Sequence, residues 1–232
     1  MVATKHPLTL PYLDKGGGVL EAMHAATMGN LLRQSGQTVL DMLSTKDQHF
    51  VRETVQDLIL STDLTKRSGV MDKFLAKKLP PDSGPVTSQV PGWNMNFSQD
   101  ADRLSFLRIL LNAADVSNPA KERSLYLFWT NRVLQEFYDQ GDEEARKGLP
   151  VTTMPCCDRS KPAVVSGQKG FISFVVKPIF EPLCDFSKAV FESEYLADGD
   201  NRAGLSETIG KIGSNFEFWN TVRILQYARA WI

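Results

Sequence analysis

Apolar residues in this chain recur at the spacing of an α-helix, and this periodicity limits its fold more than any other feature. Near the end of the chain they recur every three or four residues, which places them on one helix face. This face carries Leu205, Ile209, Ile212, Phe216, Trp219 and Val222. No stretch shows the sustained two-residue alternation that is typical of a half-buried strand. The sequence therefore predicts an all-α fold.

Other helices are expected wherever the same spacing returns. Their predicted ranges are 19–43, 45–60, 69–78, 100–114 and 123–140, with one more beginning near residue 166. Thr45 followed by Gln48 predicts a capping box at the second of these helices. The 100–114 segment is apolar on all sides, which predicts a central position. Pro178 and Pro182 are expected to kink or end the helix that begins near residue 166.

Composition excludes several classes of protein. The chain has 232 residues, of which 42% are hydrophobic and 23% charged, enough to bury a core as one domain or one lobe of a larger one. Its net charge of -1 argues against a dedicated nucleic-acid binder. The longest apolar run, residues 171–176, is too short to span a bilayer. Three cysteines, Cys156, Cys157 and Cys184, do not make a disulfide framework, so we expect reduced thiols and a cytoplasmic location. We interpret the adjacent pair Cys156-Cys157 as having no chemical role, because no histidine or further cysteine lies near it at metal-ligand spacing.

Two segments interrupt the helical pattern. Residues 1–18 contain Pro7, Pro11 and a run of three glycines, which predicts an irregular segment. Residues 19–232 are expected to form one helical body. A long surface loop is predicted inside it at about 79–99, where Trp93 is the only large apolar anchor before Asp100.

A carboxylate closes the apolar helix over 100–114. Asp115 follows the apolar run, and Ser117-Asn118-Pro119 then breaks the helix. An aspartate at the end of a buried helix is costly unless a metal ion, an arginine or backbone donors meet it. The local sequence leaves open whether Asp115 is a structural cap or a metal ligand.

A second candidate site combines an amide with apolar walls. Gln168 and Phe171 share one helix face, and Tyr126, Thr130 and Val133 share another. Glutamine offers a donor and an acceptor in one plane, so this pattern could recognise a flat heterocycle. Two core faces with one satisfied glutamine would give the same pattern. Glycine-rich phosphate loops, nucleophile elbows, CxxC pairs and HExxH motifs are all missing.

Several longer motifs follow one another in a characteristic order. They are VLE at 19–21 with His24, LSTDL at 60–64, AADVSNPAK at 113–121, EFYDQGDEE at 136–144, GLPV at 148–151, CDR at 157–159 and QKGFI at 168–172. Asn215 and Trp219 add an N-x-x-x-W pattern. Together these motifs resemble class I 3′,5′-cyclic nucleotide phosphodiesterases over about residues 8–225.

The resemblance implies a compact, multi-helix phosphodiesterase catalytic domain of the HD-superfamily type, here N-terminally incomplete. It further implies hydrolysis of cyclic AMP, cyclic GMP or both to 5′-monophosphates in signal transduction. The chemistry in that family uses two metal ions, zinc and magnesium, with a bridging hydroxide that attacks phosphorus. The implied partner is the cyclic nucleotide, without nucleic acid or a membrane segment, and a homodimer is left open.

Site residues follow from the resemblance position by position. Asp115 matches a metal ligand, and Gln168 matches the purine-binding glutamine. Phe171 and Val133 match the apolar clamp on the two faces of the base. The remaining matches line the base pocket or surround the metal and its waters: Asn118, Tyr126, Trp129 and Thr130 in the pocket, and Glu21, His24 and Thr62 around the metal.

The chain also departs from the family. The HNxxH and HDxDHPG motifs, which supply the other metal ligands, are absent, and with them the general-acid histidine, so no catalytic residue is assigned. Met23 and Asn112 stand where histidine is usual. The sequence holds three histidines in all, and one carboxylate does not hold zinc, which takes about four ligands.

Three interpretations remain open. The chain is a fragment or incomplete gene model of an ordinary phosphodiesterase, an inactive relative that binds a nucleotide or partner, or an all-α interaction scaffold. Sequencing the coding DNA upstream of Met1 tests these interpretations. If both histidine motifs are present there in frame, the chain is a fragment of an ordinary phosphodiesterase.

We predict that the purified chain does not hydrolyse cyclic nucleotides, even with added zinc and magnesium, because it lacks most of the metal ligands. Product formation from cyclic AMP and cyclic GMP measures this directly. Turnover that Asp115→Ala abolishes would contradict the prediction.

Overall fold

The computed structural model describes residues 10–12, 18–34, 40–80, 90–153, 156–194 and 204–222. These residues form an all-α fold, as predicted, without a β-sheet among them. The helices are α1 (Val19–Leu31), α2 (Thr45–Leu60), α3 (Arg67–Leu75), α4 (Asp100–Asp115), α5 (Arg123–Arg146), α6 (Val164–Phe171), α7 (Lys177–Glu194) and α8 (Gly204–Thr221). Short 3₁₀ turns cover Leu10–Tyr12, Leu64–Lys66 and Asn118–Ala120.

Two compact units make up the chain, Met1–Asn112 and Ala113–Ile232. Most of the segment predicted to be irregular lies outside the described residues, as do positions 35–39 and 81–89. Within the described ranges, no helix combines the length and the apolarity needed to cross a membrane.

The first helix ends earlier than predicted, whereas the second has the predicted bounds but a different cap. A single helix to Leu43 is wrong, since α1 ends at Leu31 and residues 40–43 form a turn ahead of α2. The cap of α2 is shifted by one position from the predicted Thr45–Gln48 pair. Ser44 has extended backbone dihedrals, and its hydroxyl oxygen accepts a hydrogen bond from Asp47 N at 3.2 Å. Ser44 therefore uses the N-cap geometry that a serine side chain favours.

The core of the first unit is built partly from the predicted loop. Trp93 is 2% exposed and its ring centroid lies 4.9 Å from that of Phe74 on α3. Trp93 is not the only apolar anchor, because Val90 and Met95 are also buried, at 3% and 1% exposure. Asp102 pins this segment to the start of α4, since it accepts a hydrogen bond from Asn96 N at 2.8 Å. Three side chains of the described loop, Val90, Trp93 and Met95, therefore lie in the core, while most residues around them stay on the surface as predicted.

The fourth helix is less buried than its apolar sequence suggests. Ile109 is fully buried, but Leu107 and Leu110 are 41% and 38% exposed. Polar side chains hold its flank to α2: Arg108 pairs with Asp57 at 2.7 Å, and Asn112 Nδ2 donates to Ser61 O at 3.2 Å. The predicted central position therefore suits the face with Ile109 but not the face with Leu107 and Leu110.

The last helix packs into the second unit through the predicted apolar face. Ile212 and Trp219 are each 1% exposed. Between them, Asn215 Nδ2 donates to Pro119 O at 3.0 Å and to Lys121 O at 2.9 Å. One amide thus satisfies two backbone carbonyls of the turn after α4. The break predicted at Ser117-Asn118-Pro119 is confirmed, since α4 ends at Asp115.

A π-helical turn, Ile172–Val176, joins α6 to α7. Pro178 is the second residue of α7, and Pro182 lies further inside the same helix. Neither proline ends the helix, so of the two predicted effects, a kink or an end, the end is wrong. Proline lacks an N–H and its ring clashes with the carbonyl four residues earlier. A turn with i→i+5 hydrogen bonds just before Pro178 moves the backbone out of the α-helical register at the point where that clash would fall.

The pair Cys156–Cys157 has a structural role that the sequence did not indicate. Cys157 is fully buried, and its carbonyl oxygen lies 2.0 Å from the position that a Cβ would take on Gly141 of α5. Only glycine allows the backbone of residue 157 to approach the helix so closely.

We predict that Gly141→Ala destabilises the chain, because the added methyl group meets backbone that cannot rotate away. The expected loss is about 1–3 kcal/mol in the free energy of unfolding. Gly213→Ala is the matched control, since a Cβ there meets nothing within 4 Å. The control should be neutral or gain up to about 1 kcal/mol from helix propensity. Equal denaturation midpoints for the two variants would contradict the prediction.

Candidate functional site

The hydroxyl of Tyr126 is the centre of a directed hydrogen-bond network in the second unit. Tyr126 lies on α5 and is fully buried. Its oxygen accepts from Trp219 Nε1 at 2.7 Å, and its hydrogen goes to Gln168 Oε1 at 2.8 Å. The indole N–H can only donate, so the one hydroxyl hydrogen is left for the glutamine. This valence sets which end of the Gln168 amide faces Tyr126.

The network continues from Tyr126 to the turn after α4. Thr130, one helical turn along α5, is 1% exposed and hydrogen-bonds to the Tyr126 hydroxyl. Asn118 Nδ2 donates to Thr130 Oγ1 at 3.2 Å and to the backbone oxygen of Tyr126 at 3.4 Å. A backbone carbonyl only accepts, so the amide of Asn118 also has one defined orientation.

One acceptor of this network has no partner. Asn118 Oδ1 is buried and receives no hydrogen bond from the described residues. A buried acceptor left without a donor costs about 1–3 kcal/mol. A ligand that brings a donor to Asn118 Oδ1 would recover this free energy.

Burial raises the pKa of Tyr126 to about 12, while the hydrogen bonds from Trp219 and Thr130 act in the opposite direction. The phenol is therefore neutral at physiological pH and keeps the hydrogen that it gives to Gln168.

Around Gln168 the predicted apolar residues are accessible. Gln168 and Phe171 are half-buried on α6. On α5, Trp129 and Val133 are 45% and 38% exposed. Tyr126 is buried and is therefore an ordinary core residue, as one of the two interpretations expects. Trp129 and Val133 are too exposed to be core residues. The second unit thus carries a hydrogen-bonded amide on α6, together with exposed apolar side chains on α5, the helix that supplies its partner Tyr126.

Asp115 is the last residue of α4 and is exposed. The desolvation cost that sequence reasoning assigned to it is therefore absent. The C-terminal end of a helix carries partial negative charge, so a carboxylate there favours a nearby cation. Its assignment as a metal ligand stays a prediction.

The other predicted residues lie in the first unit. Glu21 is half-buried in the first turn of α1, and His24 is exposed. Thr62 Oγ1 donates to Ile59 O at 2.8 Å and so caps the end of α2. Their assignment to a metal and its waters stays a prediction as well.

Sequence reasoning missed Asp63, the neighbour of Thr62. Its carboxylate accepts hydrogen bonds from Gly18 N at 2.8 Å and from Thr65 N at 2.9 Å, and so joins the start of α1 to the end of α2. Burial raises the pKa of Asp63, but the hydrogen bonds from Thr65 and Gly18 outweigh burial and leave the pKa below its ordinary value. Its place inside the LSTDL motif was the available signal.

A metal centre is not assembled by the part of the chain that the structure describes. No three histidine, cysteine, aspartate or glutamate side chains come close enough there to hold a metal ion. The described residues therefore do not fit the zinc and magnesium that the sequence resemblance implies.

Comparisons with known proteins agree with the fold and the motifs. Residues 1–194 match the family model of 3'5'-cyclic nucleotide phosphodiesterase. The chain is 35% identical to 3',5'-cyclic-AMP phosphodiesterase 4C of Rattus norvegicus over 185 residues, which are 80% of this chain and 33% of that protein. For the Mus musculus protein of the same name the identity is 34%, over 80% of this chain and 26% of the relative.

A solved structure, LmjPDEB1 in complex with IBMX, is similar with a TM-score of 0.72 and 28% identity. The match covers 94% of this chain and 57% of the solved chain. The chain thus spans a third or less of the curated relatives' length and just over half of the solved structure.

We predict that the free energy of unfolding falls above pH 10 because of Tyr126. Unfolded tyrosine loses its proton near pH 10, whereas the folded residue keeps its proton up to about 12. Between these values the unfolded state binds fewer protons, so stability falls by up to about 1.4 kcal/mol per pH unit. Denaturant unfolding of the native chain and of Tyr126→Phe across this range measures the difference. Parallel pH profiles for the two proteins would show that the burial of this hydroxyl has been misjudged.

Proposed function

Because the chain belongs to the 3'5'-cyclic nucleotide phosphodiesterase family, we propose that it serves in the hydrolysis of a 3′,5′-cyclic nucleotide to its 5′-monophosphate. The observation that carries this proposal is the fixed amide of Gln168. A glutamine held in one orientation offers a purine one acceptor and one donor in a common plane. The hydrogen bond from Tyr126, itself fixed by Trp219, supports such a role for Gln168.

The network further supports adenine over guanine as the base. At its six-position adenine carries an amine, which donates, whereas guanine carries an oxygen, which accepts. Asn118 Oδ1 is a buried acceptor without a donor among the described residues. An adenine amine would satisfy it, but a guanine oxygen would leave it unpaired. The relatives named above are cyclic-AMP phosphodiesterases, which agrees with cyclic AMP as the preferred substrate.

Apolar side chains beside Gln168 are suited to the faces of the base. Phe171 lies less than one turn further along α6, and Val133 and Trp129 are exposed on α5. Burying such surface against a flat ring contributes roughly 25 cal/mol per Å². We assign Phe171 and Val133 to the clamp on the base, with Asn118, Tyr126, Trp129 and Thr130 lining or supporting the pocket.

The metal ions belong to the proposal only at the level of the family. Zinc and magnesium would stabilise charge on the phosphoryl oxygens and supply the attacking hydroxide. Asp115 is assigned as one ligand, with Glu21, His24 and Thr62 near the metal and its waters. The described residues do not complete such a centre, and no general acid is assigned.

Nucleotide binding without hydrolysis is the second candidate function. It is favoured by the missing metal centre in the described ranges and by the intact network around Gln168. Both functions use the same base site, so they differ only in turnover.

Cytoplasmic location and homodimer formation stay proposals. Cys156, Cys157 and Cys184 are all free thiols, which supports a reducing compartment.

The test of hydrolysis uses the gene product isolated from its own cells through a tag at the natural locus. Conversion of cyclic AMP to 5′-AMP is expected. Tight cyclic AMP binding without any product would replace hydrolysis with the binding function.

We predict that Gln168→Ala weakens cyclic AMP binding by about tenfold or more, because two hydrogen bonds to the base are lost. Gln135→Ala on α5 is the matched control, since Gln135 is exposed and bonds only to Asp139. Calorimetric titration of each protein measures binding, and metal analysis of the same samples should show no change.

Tyr126→Phe in the same titration leaves the Gln168 amide in place but free to flip. The preference for cyclic AMP over cyclic GMP should then narrow, while Tyr138→Phe on the same helix should preserve it. A Gln168→Ala protein that binds normally, or that first loses metal, would show that this glutamine does not hold the base.

A further inference from the structure

Two lysines from different helices approach one aromatic ring in the second unit. Lys169 Nζ lies 5.6 Å from the ring centroid of Phe216, and Lys177 Nζ lies 4.9 Å from it. Lys169 is on α6, Lys177 begins α7 and Phe216 is on α8. Both ammonium groups fall within the range of a cation–π contact.

The π-helical turn between the two lysines explains why they meet. In an uninterrupted α-helix, residues eight positions apart differ by about 80° around the axis. The five π-helical residues Ile172–Val176 each turn the chain by about 82° instead of 100°, which brings the difference down to about 10°. Lys169 and Lys177 therefore lie on one face, and such turns are frequent at functional sites.

Neither lysine is neutralised by a carboxylate among the described residues. Both are half-buried, and Glu181, one turn after Lys177, makes no ion pair with it. Lys211, also facing outward from α8, behaves differently: it pairs with Glu122 at 3.0 Å and with Glu207 at 2.7 Å. The pair therefore lacks a counter-charge in the part of the chain that the structure describes, and contact with the ring offsets only part of the cost of half-burying each ammonium group.

We propose that Lys169, Lys177 and Phe216 form a binding site for the phosphate group of a phosphomonoester. Such a group carries a charge of about −1.5 to −2 at pH 7 and three strong acceptor oxygens, which match two ammonium groups. A dianion would supply the counter-charge that both lysines lack among the described residues, while the ring packs against their side chains. A free phosphomonoester and a lipid headgroup present the same chemistry.

This site is distinct from the base site. Gln168 precedes Lys169, but its amide is bonded to Tyr126 in the core. Lys169 projects about 100° further around the helix, toward α8. Substitution of the two lysines therefore leaves the hydrogen bonds of the base site in place. If the phosphate-site proposal fails, the proposed hydrolysis is unaffected.

The test measures phosphate binding by the whole chain. Its soluble arm uses inorganic phosphate, followed by phosphorus NMR line broadening; its lipid arm uses phosphatidylcholine vesicles with and without phosphatidic acid. Lys169→Gln and Lys177→Gln should each weaken binding at least about tenfold, the value of a hydrogen bond to a charged group. Lys188→Gln, which removes an exposed charge elsewhere on α7, should bind normally.

The outcomes separate the possibilities. Loss of binding in the double variant supports the site, and the arm in which it is seen identifies a soluble or a lipid ligand. Replacing both lysines with arginine should preserve binding, which excludes a loss caused by misfolding. The proposal is overturned if neither arm shows binding, if the double glutamine variant binds normally, or if Gln168→Ala abolishes phosphate binding.

Discussion

The second unit depends on the single hydrogen of the Tyr126 hydroxyl. A phenol can donate one hydrogen bond, and the indole N–H of Trp219 can donate but not accept. The Tyr126 hydroxyl must therefore donate to Gln168. The hydroxyl takes this position because α5, α6 and α8 bring their side chains to one buried point. A wrongly placed helix would leave at least one buried polar atom unpaired, at a cost comparable to a large part of the unit's stability. Correct packing of the three helices and a fixed orientation of the Gln168 amide therefore depend on each other.

Much of the fold could be predicted from hydrophobic periodicity. The spacing gave α2 and α8 to within a residue or two, and Ser117-Asn118-Pro119 marked the end of α4. Periodicity failed where the backbone departs from the α-helix. The apolar run that forms the π-helical turn before Pro178 has no period that separates it from an α-helix, so the proline was expected to kink or end a helix that in fact continues. Hydrophobic periodicity likewise could not show that Val90 and Met95 fold back into a core, because contacts between distant segments do not follow a short period.

The proposed base site was predictable only in part. Gln168, Tyr126 and Thr130 could be selected from spacing and motif resemblance, but the direction of the hydrogen bond between Tyr126 and Gln168 depends on a partner nearly a hundred residues away. Trp219 Nε1 is 93 positions from Tyr126. Asp115, in contrast, looked buried because its helix is apolar, yet it is exposed. Sequence identifies which side chains can do the chemistry; tertiary structure decides which of their atoms remain available.

The amide of Asn215 has a consequence for how the unit reaches its native state. Its bond to Pro119 closes a separation of 96 residues, and the indole of Trp219 lies one turn further along the same helix. Contacts of such high sequence separation form only after a large loss of chain entropy, so they belong to slow steps of folding. Nascent chains that have not yet docked α8 would hold a glutamine without a fixed direction. Selectivity for a base would then be acquired late, together with the last cooperative step of folding.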